Sequence, residues 1–178
     1  VDFMQDEVIT HTYLNPGTYQ VKVVALSGGV ATTQKTQSVT VTNLFAAPVP
    51  TIPAANVISM FSDSYTNVAV DTWRTSWSQA NLEDIDISGN KTKKYSALNF
   101  VGIEATTTPI NASAMTFFHV DVWSSDFTEF KVKLVDFGAN GAFGGGDDKE
   151  HEITISNPEK EKWVSLDIPL SDFTGLTT

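Results

Sequence analysis

Hydrophobic and polar residues alternate along most of this chain, and helical spacing is almost absent. Tyr19-Gln-Val-Lys-Val-Val-Ala-Leu26 has the period of two and the β-branched content of a strand. Ser27-Gly28-Gly29 supplies a turn, and Gln37-Ser-Val-Thr-Val-Thr42 reads as the returning strand. Pro16-Gly17 breaks the chain just before the first of these. Val57-Ile-Ser-Met-Phe61 opens a second β-rich region. Further strands are predicted over 115–123, 130–136, 150–155 and 163–168. Many short strands with turn-rich connections predict an all-β fold, a β-sandwich of jelly-roll type.

Between the two regions runs Asn43-Leu-Phe-Ala-Ala-Pro-Val-Pro-Thr-Ile-Pro53, with three prolines in six residues. Such a stretch favours an extended, stiff connector. The expected organisation is a first domain over 1–43, a linker over 44–53 and a second domain over 54–178.

In the second domain, alternation assigns faces. Phe118, Val120 and Val122 share one face, as do Phe130, Val132 and Leu134. Ile153 with Ile155, and Val164 with Leu166 and Ile168, complete the expected core. The opposite face carries Phe117, His119, Asp121 and Trp123, with Lys131, Lys133, Glu152, Trp163, Ser165 and Asp167 from neighbouring strands. It is either a concave glycan platform or a solvated face laced with Lys–Glu pairs, each worth under about 1 kcal/mol.

Charge narrows the partners. The 178 residues include 21 acidic and 11 basic side chains, a formal net charge of −10. That disfavours nucleic acid and anionic membrane surfaces, and is compatible with a neutral polysaccharide or a cation. Hydrophobic content of 41% is enough for a core. With no cysteine, disulfides and thiolate metal sites are excluded. No apolar run approaches the length of a membrane span. The chain opens on Val1-Asp2-Phe3 without Met and is read as a piece of a longer, multidomain chain, monomeric within it.

Trp73 and Trp77 stand four residues apart in a polar segment, Asp71-Thr-Trp-Arg-Thr-Ser-Trp-Ser-Gln79. Two indoles there either turn inward as core or stand out as a stacking surface. A pyranose has an apolar C–H face and a hydroxyl rim. An indole takes the face, and Arg74, Asp71 and Gln79 are placed to take the rim. Ser62-Asp63-Ser64-Tyr65-Thr66-Asn67 offers oxygen ligands for calcium around Asp63, or is simply an Asp/Ser/Asn turn. Gly138-Ala-Asn-Gly-Ala-Phe-Gly-Gly-Gly-Asp-Asp148 is a glycine-rich loop without the ending of a phosphate cradle. It either admits a ligand close to its backbone or is a loop tip. Asp147, Asp148, Glu150 and Glu152 supply carboxylates in one short run, which reads as a solvated edge rather than a glycosidase pair. His11, His119 and His151 follow no metal-ligand spacing.

Two stretches resemble known families. His11-Thr-Tyr-Leu-Asn-Pro-Gly-Thr-Tyr-Gln-Val-Lys-Val23, with Val39-Thr-Val-Thr42, resembles the C-terminal half of a PKD domain, an immunoglobulin-like spacer of extracellular proteins. That resemblance implies no catalysis in 1–43. Asn56-Val-Ile-Ser-Met-Phe-Ser-Asp-Ser-Tyr65, the stretch Leu134–Glu152 and Trp163-Val-Ser-Leu-Asp-Ile-Pro-Leu-Ser-Asp-Phe173 look like the carbohydrate-binding-module-like β-sandwich of marine Bacteroidetes. Such modules occur in surface glycan-binding proteins and beside family 16 laminarinases. The resemblance implies binding of a β-glucan such as laminarin, a structural calcium, and an extracellular or outer-membrane surface location. Related domains continue beyond the Leu-Ser-Asp-Phe segment, so the sandwich is expected to be incomplete here. The Glu-x-Asp-x-x-Glu strand of the hydrolases does not occur. The expectation is therefore non-catalytic glycan binding through Trp73, Trp77, Arg74 and Asp71, with calcium at Asp63. The rival is a spacer that positions a neighbouring domain and has no ligand of its own.

Overall fold

The computed structural model describes residues 10, 11, 13, 17–41 and 44–176. The described strands are β1 (Gly17–Ser27), β2 (Val30–Val41), β3 (Gln79–Ile87), β4 (Asn90–Phe100), β5 (Phe117–Trp123), β6 (Glu129–Asp136), β7 (Lys149–Ser156) and β8 (Trp163–Pro169). Helix is limited, among the described residues, to single 3-10 turns at Ala54–Asn56, Gly138–Asn140 and Leu170–Asp172. The fold is all-β. No helix of the described residues is long and apolar enough to cross a membrane.

Contacts divide the chain into Val1–Phe45 and Ala46–Thr178. In the first unit, β1 and β2 form one antiparallel hairpin closed by Gly28 and Gly29. Both glycines have positive φ, 59° and 82°, as a tight hairpin turn of primed type requires. A bulge between Ala25 and Leu26 shifts the register, and the Thr32 hydroxyl donates to the Ala25 carbonyl across it. β2 starts earlier than the sequence suggests: the exposed residues 30–36 carry no alternation and are in the strand because they pair with β1. Pro16 and Thr42 lie outside the described residues.

The second unit holds three strand pairs: β3–β4, β5–β8 and β6–β7, all antiparallel. β5 and β8 are far apart in sequence, so the β6–β7 hairpin is inserted between two strands that pair with each other. The inward residues of both pairs meet in one core. Val132 from β6 and Ile168 from β8 are buried there with Phe173, and Phe118 and Ile153 pack against them. Phe173 is 2% exposed and meets the edges of the Phe118 and His151 rings. It follows the last 3-10 turn, so the segment after β8 folds back to close this core. The His151 ring nitrogen Nδ1 lies 3.0 Å from the Thr174 carbonyl, which holds that segment down.

Two expectations need correcting. Val57–Phe61 is not a strand; only Ser59 bridges to Asn67, with the Val68 amide donating to the Ser59 carbonyl at 2.7 Å. Conversely, β3–β4 is a full hairpin in a stretch the hydrophobic pattern passes over. Its burial alternates on Ala80 and Leu82 at first, then moves to Ile85 and Ile87. Because the phase changes mid-strand, no single period-two run is visible. Ser88 and Gly89 make the turn with φ of 54° and 85°, and the Gly89 amide donates to Asp86 Oδ1. Opposite charges set the register: Asp84 faces Lys93 and Glu83 faces Lys94, both pairs in hydrogen-bond contact.

Candidate functional site

The segment 71–78 precedes β3 and is bolted to the irregular stretch just after β4. The Thr75 amide donates to the Gly102 carbonyl, and the Gly102 amide donates to the Ser78 hydroxyl at 2.9 Å. Thr75 and Ser78 are buried, and their hydroxyls bond each other at 2.7 Å. Buried polar groups need such partners, and here two small hydroxyls satisfy each other and the backbone. The residues between them, Ser76 and Trp77, are pushed outward.

Trp77 is 58% exposed. Its ring lies on the bare backbone of Gly102: a methyl group there would meet the indole Cη2 at 2.2 Å. The ring runs nearly parallel to that of Phe100, at 23° and a centroid separation of 6.1 Å. That separation means an offset arrangement, in which each ring leaves part of its face in water. Phe100 is itself 42% exposed and pairs across the hairpin with Gln79. The Asn99 amide donates to Gln79 Oε1 at 2.8 Å. An aromatic platform edged by two amide side chains is the result.

The other expected site residues go elsewhere. Trp73 is half-buried, edge-on to Phe61 at 5.4 Å, and the Lys93 ammonium lies 5.4 Å from its centroid and 5.0 Å from that of Phe61. That cation–π cluster joins 61, 73 and β4. The Tyr95 hydroxyl donates to the Trp73 carbonyl, and burial, with the charge of Asp84, pushes its pKa up to about 12. Arg74 turns back to donate through Nε to the Ala80 carbonyl at 2.5 Å and through Nη2 to that of Ser78 at 3.5 Å. Asp71 Oδ2 accepts from the amides of Thr106 and Thr107 at 2.7 and 2.8 Å. Those bonds, that from Thr107 first, hold its carboxyl below the usual carboxylate range. Trp77 is thus the one of the four that faces solvent with an aromatic partner. Phe100 and Asn99 were missed because they lie at the end of an unrecognised strand; their nearness to Gln79 in the hairpin register is what reveals them.

Asp63 accepts the Lys91 amide on Oδ2 at 2.7 Å, and its Oδ1 lies 3.5 Å from the Lys91 ammonium. Its neighbours bond among themselves: the Asn67 amide donates to the Ser62 carbonyl, and the Ser59 hydroxyl to Asn67 Oδ1. Among the described residues no three acidic or histidine side chains converge on one point. The donors at Asp63 cover only part of calcium's shell of about six to eight oxygens.

The face opposite the core is split between two strand pairs. On β6–β7, Lys131 bonds Glu152 and Lys133 bonds Glu150, as solvated pairs. On β5–β8, Trp123 stands opposite Trp163 and His119 opposite Asp167. His119 bonds Asp167 through Nδ1 at 2.7 Å and approaches Asp121 through Nε2 at 3.4 Å. Burial pulls its pKa down, but the two carboxylates outweigh that and raise it. The Ser165 hydroxyl donates to Asp121, not to the imidazole. In the glycine-rich loop, Asp147 is held by Asn140, and Asp148 accepts the Gly144 amide at 2.6 Å.

Comparison with models of protein families, with curated proteins and with solved structures finds no match.

Proposed function

We propose that this protein binds a polysaccharide without acting on it, and that the ligand is a β-1,3-glucan such as laminarin. The observation that carries the reading is the exposed Trp77 ring, laid on Gly102 and extended by Phe100. Stacking requires a flat aromatic face in water, and the Gln79 and Asn99 amides supply donors and acceptors for the hydroxyl rim. The acidic balance suits a neutral glycan, and the resemblance of 54–178 to carbohydrate-binding-like modules points to β-glucan. In this reading the second unit is a jelly-roll-type sandwich and the first a PKD-like, immunoglobulin-type spacer. In this reading the protein works outside the cell or on the outer surface.

Affinity electrophoresis in laminarin-containing gels tests it. Wild-type protein should be retarded. Trp77→Ala should lose about 1–3 kcal/mol of binding, by analogy with bases stacked on aromatics, with its melting temperature unchanged. Trp73→Ala should do the reverse, weakening the fold by breaking the Phe61–Lys93 cluster. Unretarded wild-type protein would overturn the assignment and favour a spacer role.

A structural calcium at Asp63 belongs to the same proposal. The cation would replace the Lys91 ammonium, whose side chain is three-quarters exposed and free to swing away. Calcium should then raise the melting temperature of wild-type protein, by mass action on the folded state, and not that of Asp63→Asn. Coincident curves in calcium and in chelator would remove the metal from the reading.

A further inference from the structure

Trp77 and Phe100 do not end the exposed surface of the hairpin. Gln79, Asn81 and Glu83 all point to solvent along β3, while Ala80 and Leu82 between them turn inward. Across the hairpin these outward residues face Phe100, Ser96 and Lys94. Beyond the aromatic rings, therefore, lies a polar strip. It runs from the Gln79–Asn99 amide pair, past Asn81 and Ser96, to the Glu83–Lys94 pair at 2.8 Å. Its one charged step is neutralised internally, and every member offers hydrogen-bonding groups to hydroxyls. From Gln79 to Glu83 the strand covers about 13 Å at about 3.3 Å per residue, room for roughly two or three further pyranose rings.

Resting on the glycan-binding reading, we infer that the site takes an extended, neutral oligosaccharide laid along β3. One ring stacks on Trp77, and the following rings pass over Gln79, Asn81 and the Glu83–Lys94 pair. Trp77 and Phe100 are 58% and 42% exposed, which leaves room for the interior of a chain, and not only its end, to lie across them. A chain of uronates or sulfated sugars would bring its charge against Glu83 and against a protein of net charge −10.

Calorimetric titration with β-1,3-gluco-oligosaccharides from disaccharide to heptasaccharide tests this. Affinity should climb to about the tetrasaccharide and then level off. Asn81→Ala should cost the longer members about two- to tenfold, the worth of one net hydrogen bond, and leave the disaccharide unaffected. A uronate oligosaccharide of equal length should bind more weakly. If affinity is the same at every length, the strip plays no part and the inference falls, while the platform reading stands. Equal binding of the uronate chain would overturn the preference for neutral ligands. If no member of the series and no laminarin binds, it is the proposed function itself that fails.

Discussion

The strand pairs β5–β8 and β6–β7 close one core, with alternation held along β6 and β7; the β3–β4 hairpin changes phase instead. In the first region the core-facing apolar residues share one core and the lysines of β6 pair outside, although Phe117 on β5 stays 56% exposed. In the second, the buried phase moves from Ala80 and Leu82 to Ile85 and Ile87, and two large aromatic faces stay in water beside it. Each square ångström of apolar surface left exposed forgoes about 25 cal/mol. Yet the turn holding Trp77 is specified in detail, by two buried hydroxyls and a glycine that leaves room for the ring. A region that spends specific residues on keeping an indole outside is explained by what the indole meets. The two regions should therefore fail differently when cut.

The largest effect belongs to the core. Phe173→Ala removes a ring that is 2% exposed and packs against Phe118 and His151. It should cost about 3–5 kcal/mol of stability, read from denaturant unfolding. Laminarin binding should survive wherever the protein remains folded. If instead Phe173→Ala is mild and Trp77→Ala unfolds the protein, the assignment of core and surface is inverted.

A smaller and more selective effect is expected at Gly102. An added methyl would lie 2.2 Å from Cη2 and 2.5 Å from Cζ2 of Trp77, and 2.8 Å from the Thr75 hydroxyl. The indole end can swing out into solvent, so Gly102→Ala should cost only about 1 kcal/mol of stability, within the range of mild overpacking. Binding should fall by about tenfold or more, although Trp77 is still present. Tryptophan emission should shift to longer wavelength as the ring leaves its seat. Full affinity in Gly102→Ala would show that the ring's placement on the backbone is irrelevant to the ligand.

Much of the first region is legible in the sequence, and less of the second, for a physical reason. Phe118, Val132, Ile153 and Ile168 announce themselves because alternation and burial stay in phase around each of them. Trp73 and Trp77 are visible as a pair, but their spacing carries no information on which one faces water. That is decided by Lys93 reaching Trp73 from a strand twenty residues on, and by Gly102 receiving Trp77. Arg74 and Asp71 look like rim contacts in sequence, whereas loop carbonyls and the Thr106 and Thr107 amides take them up. Such partners are tertiary and leave no local pattern. The β3–β4 hairpin is concealed by its own change of phase, and with it the positions of Phe100 and Asn99.

The smallest expected effect separates the two regions by pH, with opposite signs. Asp71 has a carboxyl held below its ordinary range, chiefly by the Thr107 amide. A depressed pKa contributes stability above the unfolded value of about 3.9, and that contribution is lost as pH falls through the folded value. His119 is the converse. Burial opposes its charge, but Asp167 and Asp121 prevail and raise its pKa. Its contribution is complete below the unfolded value of about 6.5 and disappears as pH rises through the folded one. Asp71→Asn should therefore match wild-type stability in strong acid and fall short at neutral pH. His119→Gln should fall short in mild acid and match it at alkaline pH. Both groups are substantially exposed, so solvent screens them and the differences will be small. Amide exchange localises them: the Thr106 and Thr107 amides should lose protection in Asp71→Asn, and the β5–β8 amides in His119→Gln. Should both variants lose protection over the same residues, the hairpin with its Trp77 turn and the β5–β8 core open as one cooperative unit. The contrast between a stabilising region and a displaying one would then dissolve.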